Sequence, residues 1–527
     1  MTITRWTPST NVTRQEEMIL KRCQKKRKLF AFLRENRNRL FDDELQGELE
    51  QMYRDTGAGK DAAPPALMAM ALILQGYLGL SDADAVEATV IDLRWQMVLD
   101  CLGATTPAFS QGALFDFRER LIAHDMDRRL LERTAALARS SKGFDAKKLP
   151  KTLRVAIDSS PLEGAGRVED TINLIGHAAR KVVECAAELL GSAYEEVCQK
   201  AGIPLLLETS IKKGLDLDWS DAKQKGEAVD ILARQVLSLE RWLTRRLAQE
   251  VDRPPLSDVL SVLRQLMDQD LEPDPQPGGG SRIKEGVAED RRISVEDGEM
   301  RHGRKSTSNR INGYKRHVAT DLDSTAILAC SAMPANRPEH EALPELKSDI
   351  DAQKIRLAEA HFDRAYMASP IVDELVKQGV EIICKPWKAR NGDLFTKEDF
   401  VLNLRAKTIT CPGGKTEKIE LGKTVEFDGR ACDSCPMRSQ CTSAAPGTGR
   451  SVRILANEPL QKRLRTMVAT KAGRQRFRER VPVEHSLAHI GQRQGDRARY
   501  WGARKNTYDT RRAAIIQNLE IVQRRAA

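Results

Sequence analysis

One apolar stretch that ends in an aspartate constrains the fold of this 527-residue chain more than any other feature. Leu153, Val155 and Ile157 alternate with other residues, as in a buried β-strand, and Asp158 follows directly. The next residues, Ser-Ser-Pro, predict a turn, so Asp158 is expected at the strand end. Two interpretations stay open. The carboxylate binds a ligand at the edge of an α/β sheet, or it caps the next element, which is the commoner case for a single Asp.

A second carboxylate, Asp363, stands in the same position after another predicted strand. Residues 355–362 predict this strand, residues 369–377 predict a helix, and the sequence VEIICKP predicts a further strand. This β-α-β order indicates an α/β sheet. A third candidate is Glu484, because Pro482 favours the first turn of a helix, where a carboxylate is stabilised. Taken alone, Glu484 is better explained as a charge at a helix start.

Together these three carboxylates predict a metal-dependent active site. Two aspartates and one glutamate form the oxygen-rich set of ligands that hard divalent cations such as Mg²⁺ or Mn²⁺ require. Such a set holds two ions close together, where they stabilise the attacking and the leaving oxygen of a phosphodiester. We therefore predict Asp158, Asp363 and Glu484 as catalytic residues and as ligands of two Mg²⁺ or Mn²⁺ ions.

The residues around Glu484 carry a resemblance to a known family. The chain has Phe477, Arg480 three residues on, and Glu484 four further. DDE transposases of bacterial insertion sequences, in the branch with an RNase H-like catalytic fold, have Tyr, Arg, Glu and Lys at this spacing. Phe477 therefore replaces the Tyr, and Gly491 stands at the Lys position, with Arg493 close by.

Other segments extend the resemblance over most of the chain outside a helical insertion. Residues 303–321, GRKSTSNRINGYKRHVATD, resemble the family's Gly-Tyr-Lys strand ahead of the second Asp, and PANRPEHEALPEL resembles the stretch after it. GLSDADAVEATVIDLRW and LFDFRERL resemble the N-terminal domain of the group. The resemblance implies an α/β core of RNase H-like fold, a mixed sheet flanked by helices. It also implies an all-α N-terminal domain, a helical insertion and a small Cys-rich insertion like a zinc ribbon.

The expected domain organisation follows from this resemblance and from the helical spacing of apolar residues. Residues 1–145 are predicted as a helical domain, which either reads the element's terminal sequence or only supports the core and dimerises. Residues 150–527 are predicted as the catalytic domain. It is interrupted by a helical insertion at 166–290 and a Cys-rich module at 405–450. Residues 272–281, EPDPQPGGGS, predict a flexible linker, and the insertion has three interpretations: a lid, a DNA clamp or a passive addition.

The Cys-rich module predicts a structural zinc site. Cys411, Cys432, Cys435 and Cys441 fall in one small polar segment, and Cys432-x-x-Cys435 has the spacing of a four-thiolate zinc site. Because the segment has little apolar content for a core of its own, zinc is preferred to four unligated thiols. The other six cysteines have no ligand spacing, and reduced, mostly buried thiols explain them.

The basic surplus predicts a polyanionic partner. The chain has a net charge of +10, and the segment from residue 471 carries 14 Lys/Arg against 5 Asp/Glu, a net of +9. We expect DNA as the partner, with Trp387 either stacking on an unpaired base or packing in the protein. The predicted DNA-contacting residues are Arg480, Arg493, Arg497, Arg499, Tyr500, Arg504 and Lys505, then Arg304, Lys305, Lys315 and Arg316, and Trp387.

The function implied by the resemblance is transposition. The protein is expected to bind terminal inverted repeats, to cleave there, and to join the freed 3′-hydroxyls to target DNA, as a homodimer that pairs two ends. Two alternatives remain at this point: an RNase H-like nuclease that cuts without joining, and a transposase-derived DNA-binding protein. The N-terminus does not resemble a signal peptide, and the longest apolar run, residues 66–74, is too short to span a bilayer. A cytoplasmic, nucleoid-associated protein without a membrane partner is therefore expected.

Overall fold

Eight helices occupy the described residues before residue 141, in agreement with the helical spacing of this part of the sequence. The computed structural model describes residues 4–53, 62–140, 151–218, 221–275, 280–305 and 308–526, so the expected domain boundary at residue 145 lies outside the described ranges. Ser81 caps one helix through a capping box with Asp84, as Ser-Asp at that point predicts. The helices are α1 (Arg14–Lys26), α2 (Lys28–Leu40), α3 (Asp43–Glu50), α4 (Pro65–Leu78), α5 (Asp82–Ile91), α6 (Leu93–Leu99), α7 (Gln111–Ala123) and α8 (Met126–Ser140).

A long strand, β1 (Leu153–Glu163), follows, and a helical insertion leaves from its end. The insertion has an apolar core of its own, built mainly from its two longest helices and the helix after them. The ends of the predicted linker pair as two short strands, Glu272 opposite Arg282, so they are not free chain; residues 276–279 lie outside the described ranges. The elements are α9 (Thr171–Leu190), α10 (Tyr194–Ala201), α11 (Ile211–Gly214), α12 (Ala222–Arg246), α13 (Leu256–Asp270), β2 (Leu271–Pro273) and β3 (Ser281–Ile283).

A mixed six-stranded sheet forms the centre of the molecule. Strand β1 pairs antiparallel with β5 on one side and parallel with β7 on the other. β5 also pairs antiparallel with β4 and β6, and β8 continues parallel to β7. Antiparallel strands therefore occupy one half of the sheet and parallel strands the other. The elements are β4 (Arg301–Arg304), β5 (Arg310–Asp321), β6 (Ile327–Pro334), α14 (Leu343–Asp351), β7 (Leu357–His361), α15 (Pro370–Lys377) and β8 (Glu381–Ile383).

The Cys-rich segment forms a small unit of short strands and turns, followed by helices that return to the sheet. The unit has a modest apolar core that includes Phe400, Ile409, Val425 and Phe427, so the expectation that it lacks one was wrong. Its elements are β9 (Val401–Asn403), β10 (Thr408–Thr410), β11 (Thr416–Lys418), β12 (Thr424–Glu426), α16 (Gly429–Asp433), α17 (Arg438–Cys441) and β13 (Ser451–Arg453). The C-terminal helices are α18 (Glu458–Ala469), α19 (Lys471–Arg476), α20 (Val481–Gln494) and α21 (Ala503–Ala526).

One apolar core joins the N-terminal helices to the sheet. It includes Trp95 of α6, Leu131 of α8, Val155 of β1 and Ile516 of α21, all of them buried. Helix α21 lies between the two parts and contacts α4, α8 and β6. No single described helix is long and apolar enough to cross a membrane; α4 and α5 pass the length and composition test only as a pair, with a 105° bend between them.

Candidate active site

The strand register brings the two predicted aspartates side by side. In the parallel pair of β1 and β7, Ala156 lies opposite His361, and the pairing ends there. Asp158 and Asp363 each come two residues later, so both lie at the position where the parallel ladder stops. The β-α-β pattern around Asp363 therefore predicted its place correctly.

Asp158 does not lie at the end of its strand, and the predicted Ser-Ser-Pro turn is wrong. β1 continues to Glu163, with Asp158 opposite Val318 and Pro161 opposite Lys315 of β5. The physical reason is the length of β5, whose twelve residues give β1 an antiparallel partner beyond the last parallel pair. Past that pair β1 has a full neighbour on one side only, which is where a strand tolerates proline.

Glu484 enters the site from helix α20, which packs against β1 and β5. It lies in the first turn of that helix, as the sequence predicts. Arg480 stands directly before the helix and contacts all three predicted carboxylates. One terminal nitrogen, Nη2, is 3.0 Å from Asp158 Oδ2, the other donates to Asp363, and Nε is 3.5 Å from Glu484 Oε1. The three carboxylates are therefore gathered around one guanidinium group.

Burial and charge act in opposite directions at this cluster. Burial raises the pKa of Asp158 above its ordinary value, although the charge of Arg480 opposes the shift. Burial also opposes the charge of Arg480, but its hydrogen bond to Asp363 and the attraction of Asp158 raise its pKa overall. The side chain of Asp158 is 16% exposed and that of Asp363 is 54% exposed, so the site is open on the Asp363 side. There a cavity of about 440 Å³ is lined by Asp363, Phe477 and Glu484, among other residues.

A second polar cluster, which the sequence did not predict, lies beside the first. Among the described residues, only Glu359, His361 and Glu479 form a set of three possible metal ligands whose ligand atoms all lie within 4.8 Å of one another. Arg154 and Arg476 already neutralise its carboxylates, since each donates to Glu359. Glu359 and His361 are two residues apart on β7, so the alternation of side chains along a strand places both on the same face. This spacing is the one sequence signal for the cluster.

The basic residues of the C-terminal segment divide into two groups. Arg497 and Arg499 are exposed, and Arg497 donates to the backbone oxygens of Gly164 and Ala165 near the end of β1. Arg493 instead pairs with Glu520 at 2.6 Å.

Three further residues predicted to contact DNA face the N-terminal helices. Arg504 pairs with Asp127 at 2.6 Å, and Lys505 pairs with Glu119 at 2.9 Å. Tyr500 packs against neighbouring rings and guanidinium groups of the interior. These three side chains, which were predicted to contact DNA, therefore have partners within the chain. Their basic or aromatic character alone does not reveal these partners.

The residues of β4 and β5 also differ in their environment. Arg316 was expected to line a DNA channel, but it is only 3% exposed and donates to Ser160, Gln494 and the backbone of Gly495, so a direct contact with DNA is excluded in this conformation. The cause is the alternation of the strand, which turns Arg316 towards α20. Arg304 and Lys305 are exposed, and Lys305 lies near enough to Asp158 to affect its pKa.

Lys315 and Trp387 occupy intermediate positions. The amine of Lys315 donates to the backbone oxygen of Arg337 at 3.1 Å. Trp387 is 38% exposed, and its backbone N–H donates to Gln461. The partial exposure of Trp387 is compatible both with stacking on an unpaired base and with packing in the protein.

The four cysteines of the small module line one cavity of about 150 Å³. All four are unpaired and half-buried. A Cβ atom added at Gly413 would lie 3.0 Å from the sulfur of Cys435 and 3.7 Å from that of Cys411, so the glycine leaves room for two sulfurs. The backbone N–H of Lys415 donates to Cys411 Sγ at 3.3 Å. Binding of one ion by all four requires the sulfurs to move closer together, since no three of them meet the 4.8 Å limit met by the Glu359 cluster.

Comparison with known families finds two transposase domains within the chain. Residues 20–120 match the family described as "Transposase domain (DUF772)", and residues 407–522 match the family described as "Transposase DDE domain". The second match contains Arg480 and Glu484, and it begins after Asp158 and Asp363. No curated protein and no solved structure matches the chain.

Both matched families are transposase domains, and they occur in the order that the sequence blocks predict. The two matches support a DDE transposase of the insertion-sequence type.

Proposed function

We propose that this transposase binds the terminal inverted repeats of its own element, cuts one strand at each end, and joins the freed 3′-hydroxyl to target DNA. The observation that carries the proposal is the meeting of Asp158, Asp363 and Glu484 around Arg480, in a chain with a DDE domain match. An antiparallel half-sheet extended by two parallel strands supports an RNase H-like fold for this core.

The donor set fits two Mg²⁺ or Mn²⁺ ions. Three carboxylates offer six oxygens and a formal charge of −3, and one guanidinium cannot balance this charge alone. Bound there, the ions would lower the pKa of the attacking hydroxyl and neutralise charge on the leaving oxygen. Asp158, the most deeply buried of the three carboxylates, would be one of their ligands.

The protein's own residues position the DNA. Arg480 holds the same oxygens that the cations need, so cation binding would release it towards the cavity beside Asp363 and Glu484. There its fork of N–H donors would bind the phosphate next to the cut. The exposed Arg497 and Arg499 would continue this contact along the backbone.

The two chemical steps balance without an external source of energy. In the first, the oxygen of water attacks phosphorus and loses a proton to solvent, the P–O3′ bond breaks, and the leaving 3′-oxygen takes up a proton to become a hydroxyl. In the second, the new 3′-oxygen loses its proton and attacks a phosphodiester of the target, whose own P–O3′ bond breaks. One phosphodiester replaces another in the second step, so positioning and charge stabilisation are all that the enzyme has to supply.

We also propose a structural Zn²⁺ held by Cys411, Cys432, Cys435 and Cys441. Four thiols around one cavity, with no disulfide among them, have the chemistry of a tetrahedral zinc site. Two copies of the chain would act together, since each site handles one DNA end. A protein that binds these DNAs would be associated with the nucleoid.

Replacement of single carboxylates tests the proposal. The variants Asp158→Asn, Asp363→Asn and Glu484→Gln should lose DNA cleavage by several orders of magnitude in Mg²⁺, because metal activation contributes several kcal/mol. Their binding to terminal-repeat DNA should change little. The assay follows nicked and joined products of labelled repeat DNA on a gel.

Glu479→Gln is the matched control, since Glu479 belongs to the neighbouring cluster of three ligands. It should retain most of the activity. If Glu479→Gln lost cleavage while Glu484→Gln kept it, the metal ions would belong to the neighbouring cluster. Cuts without joined products in the unmodified protein would indicate a nuclease instead.

A further inference from the structure

A large groove lies between the helical insertion and the sheet, on the side where β1 ends. The chain leaves β1 at Glu163, five residues after Asp158, and the insertion returns to the sheet at β4. The groove has a volume of about 1140 Å³. One wall comes from the insertion, with residues 283–288 and Arg291, and the other comes from β4, β5 and the segment after β6.

The groove is basic. Its lining contains five Lys/Arg and two Asp/Glu, a surplus of three positive charges. One acid, Asp270, is already paired with Arg291 at 2.6 Å. The basic residues of the lining are Lys284, Arg291, Arg304, Arg310 and Lys315.

Two arginines of the groove stand opposite each other, and neither has a counter-charge among the residues that the structure describes. Arg304 of β4 and Arg310 of β5 are direct partners in the antiparallel ladder, and both are exposed. Like charges at such a position repel each other and destabilise the strand pair. Among the described residues, neither side chain forms an ion pair or a side-chain hydrogen bond, whereas Arg301 of the same strand is paired with Asp290. An anion between Arg304 and Arg310 would remove the repulsion.

The groove and the candidate active site lie on the same sheet. Lys305, the residue after Arg304, exerts an electrostatic attraction on Asp158. Strand β5 runs from one to the other, with Arg310 opposite Arg304 and Val318 opposite Asp158. A polyanion that binds at Arg304 and Arg310 and continues along β5 therefore runs towards Asp158. The basic residues are spread over both walls of the groove. Their spacing suits a polymer with one negative charge per repeating unit better than a single small anion.

We propose that this groove binds the phosphodiester backbone of the DNA strand that passes the active site, with Arg304 and Arg310 on its phosphates and the helical insertion as the second wall. The insertion is then a DNA clamp and not a passive addition. This proposal rests on the proposed function, since it names the path of the same substrate. The shared chemistry is the phosphate backbone, and the source is either DNA inside the terminal repeat or DNA that flanks the element.

The test compares two charge-matched double variants of the full-length protein. Arg304→Gln with Arg310→Gln removes the facing pair. Arg241→Gln with Arg246→Gln removes two exposed arginines of α12 that do not line the groove. Affinity for duplex DNA is measured by fluorescence anisotropy over a salt series, with unflanked repeats, flanked repeats and an arbitrary sequence. Thermal melting of each variant verifies that the fold is retained.

The groove variant should bind more weakly than the unmodified protein, and its log K against log salt should flatten by about two units, one for each lost phosphate contact. The α12 variant should keep the original slope. A loss seen only with flanked DNA identifies the flank as the ligand, and a loss with all DNAs alike identifies general backbone binding. Unchanged affinity and slope in a groove variant that still folds would overturn the clamp and leave the proposed function intact. An unmodified protein that bound no DNA would overturn both.

Discussion

At the residue scale, Arg480 decides the state of the candidate active site. Its position before Glu484 is visible in the sequence, and its contact with both aspartates is visible only in the fold. A guanidinium and a divalent cation need the same carboxylate oxygens, so they compete. Two unit charges at about 4 Å attract each other by about 4 kcal/mol at the effective dielectric of a partly exposed site, enough to affect metal affinity.

Replacing Arg480 by Gln should therefore tighten Mn²⁺ binding in the absence of DNA, by about tenfold if about 1.4 kcal/mol of the competition is removed. Calorimetric titration at pH 8 measures the affinity, since a high pH favours the ionised form of Asp158, whose pKa is raised by burial. DNA cleavage should fall in the same variant, because a phosphate contact is lost. Arg478→Gln is the control, since Arg478 lines the same cavity without contacting the carboxylates. Equal Mn²⁺ affinity in both variants would argue against competition.

At the scale of elements, the Cys-rich unit is largely self-contained. Its strands pair with one another, and its small apolar core is separate from the core of the sheet. Cys411, Cys432 and Cys441 pack against that core. Loss of a bound ion should thus loosen the unit and leave the sheet folded.

Freshly purified protein should contain about one zinc per chain, by elemental analysis. Cys435→Ser should release the ion, because three thiolates hold zinc more weakly than four. The main thermal unfolding transition should persist, since the sheet has its own core. Cys198→Ser, which alters a buried thiol of the insertion, should keep its zinc. Protein prepared without chelators that contains no zinc would refute the site.

At the scale of the whole molecule, a buried ionic network connects the N-terminal helices to the sheet. Arg511 of α21 is 3% exposed and pairs with Asp127 of α8 and Asp349 of α14 at 3.2 Å each. Arg504 contacts the same Asp127. Through these ion pairs and the shared apolar core, the N-terminal helices stabilise the sheet and the helices packed on it. A truncated chain without them should therefore fold poorly, and point variants are the better test of repeat recognition.

Asp127→Ala should lower the free energy of unfolding by about 3–5 kcal/mol, because it removes the buried carboxylate that both Arg504 and Arg511 contact, which leaves Arg504 without a buried partner and Arg511 with Asp349. Denaturant unfolding at neutral pH measures the change. Glu420→Ala, which breaks the exposed pair of Glu420 and Lys423, should cost no more than about 0.5 kcal/mol. If the two variants were equally stable, the network would not hold the two parts together.

Local pattern alone determined a large part of this protein. The alternation of Leu153, Val155 and Ile157 predicted β1, and the β-α-β pattern predicted the place of Asp363. Pro482 predicted the helix turn that carries Glu484. These features depend on neighbours in the chain, which is why the sequence shows them directly.

Only the tertiary structure decided which of these side chains meet. β5 keeps Asp158 inside a continuing strand, and Arg316 is buried because it faces α20, more than 150 residues away. The facing pair of Arg304 and Arg310 and the second wall of the groove depend equally on distant segments. Burial and electrostatic pairing act between groups that are close in space. Residue type and spacing therefore predict which side chains can bind a metal ion or a phosphate, and tertiary packing decides which of them lie together and which are buried.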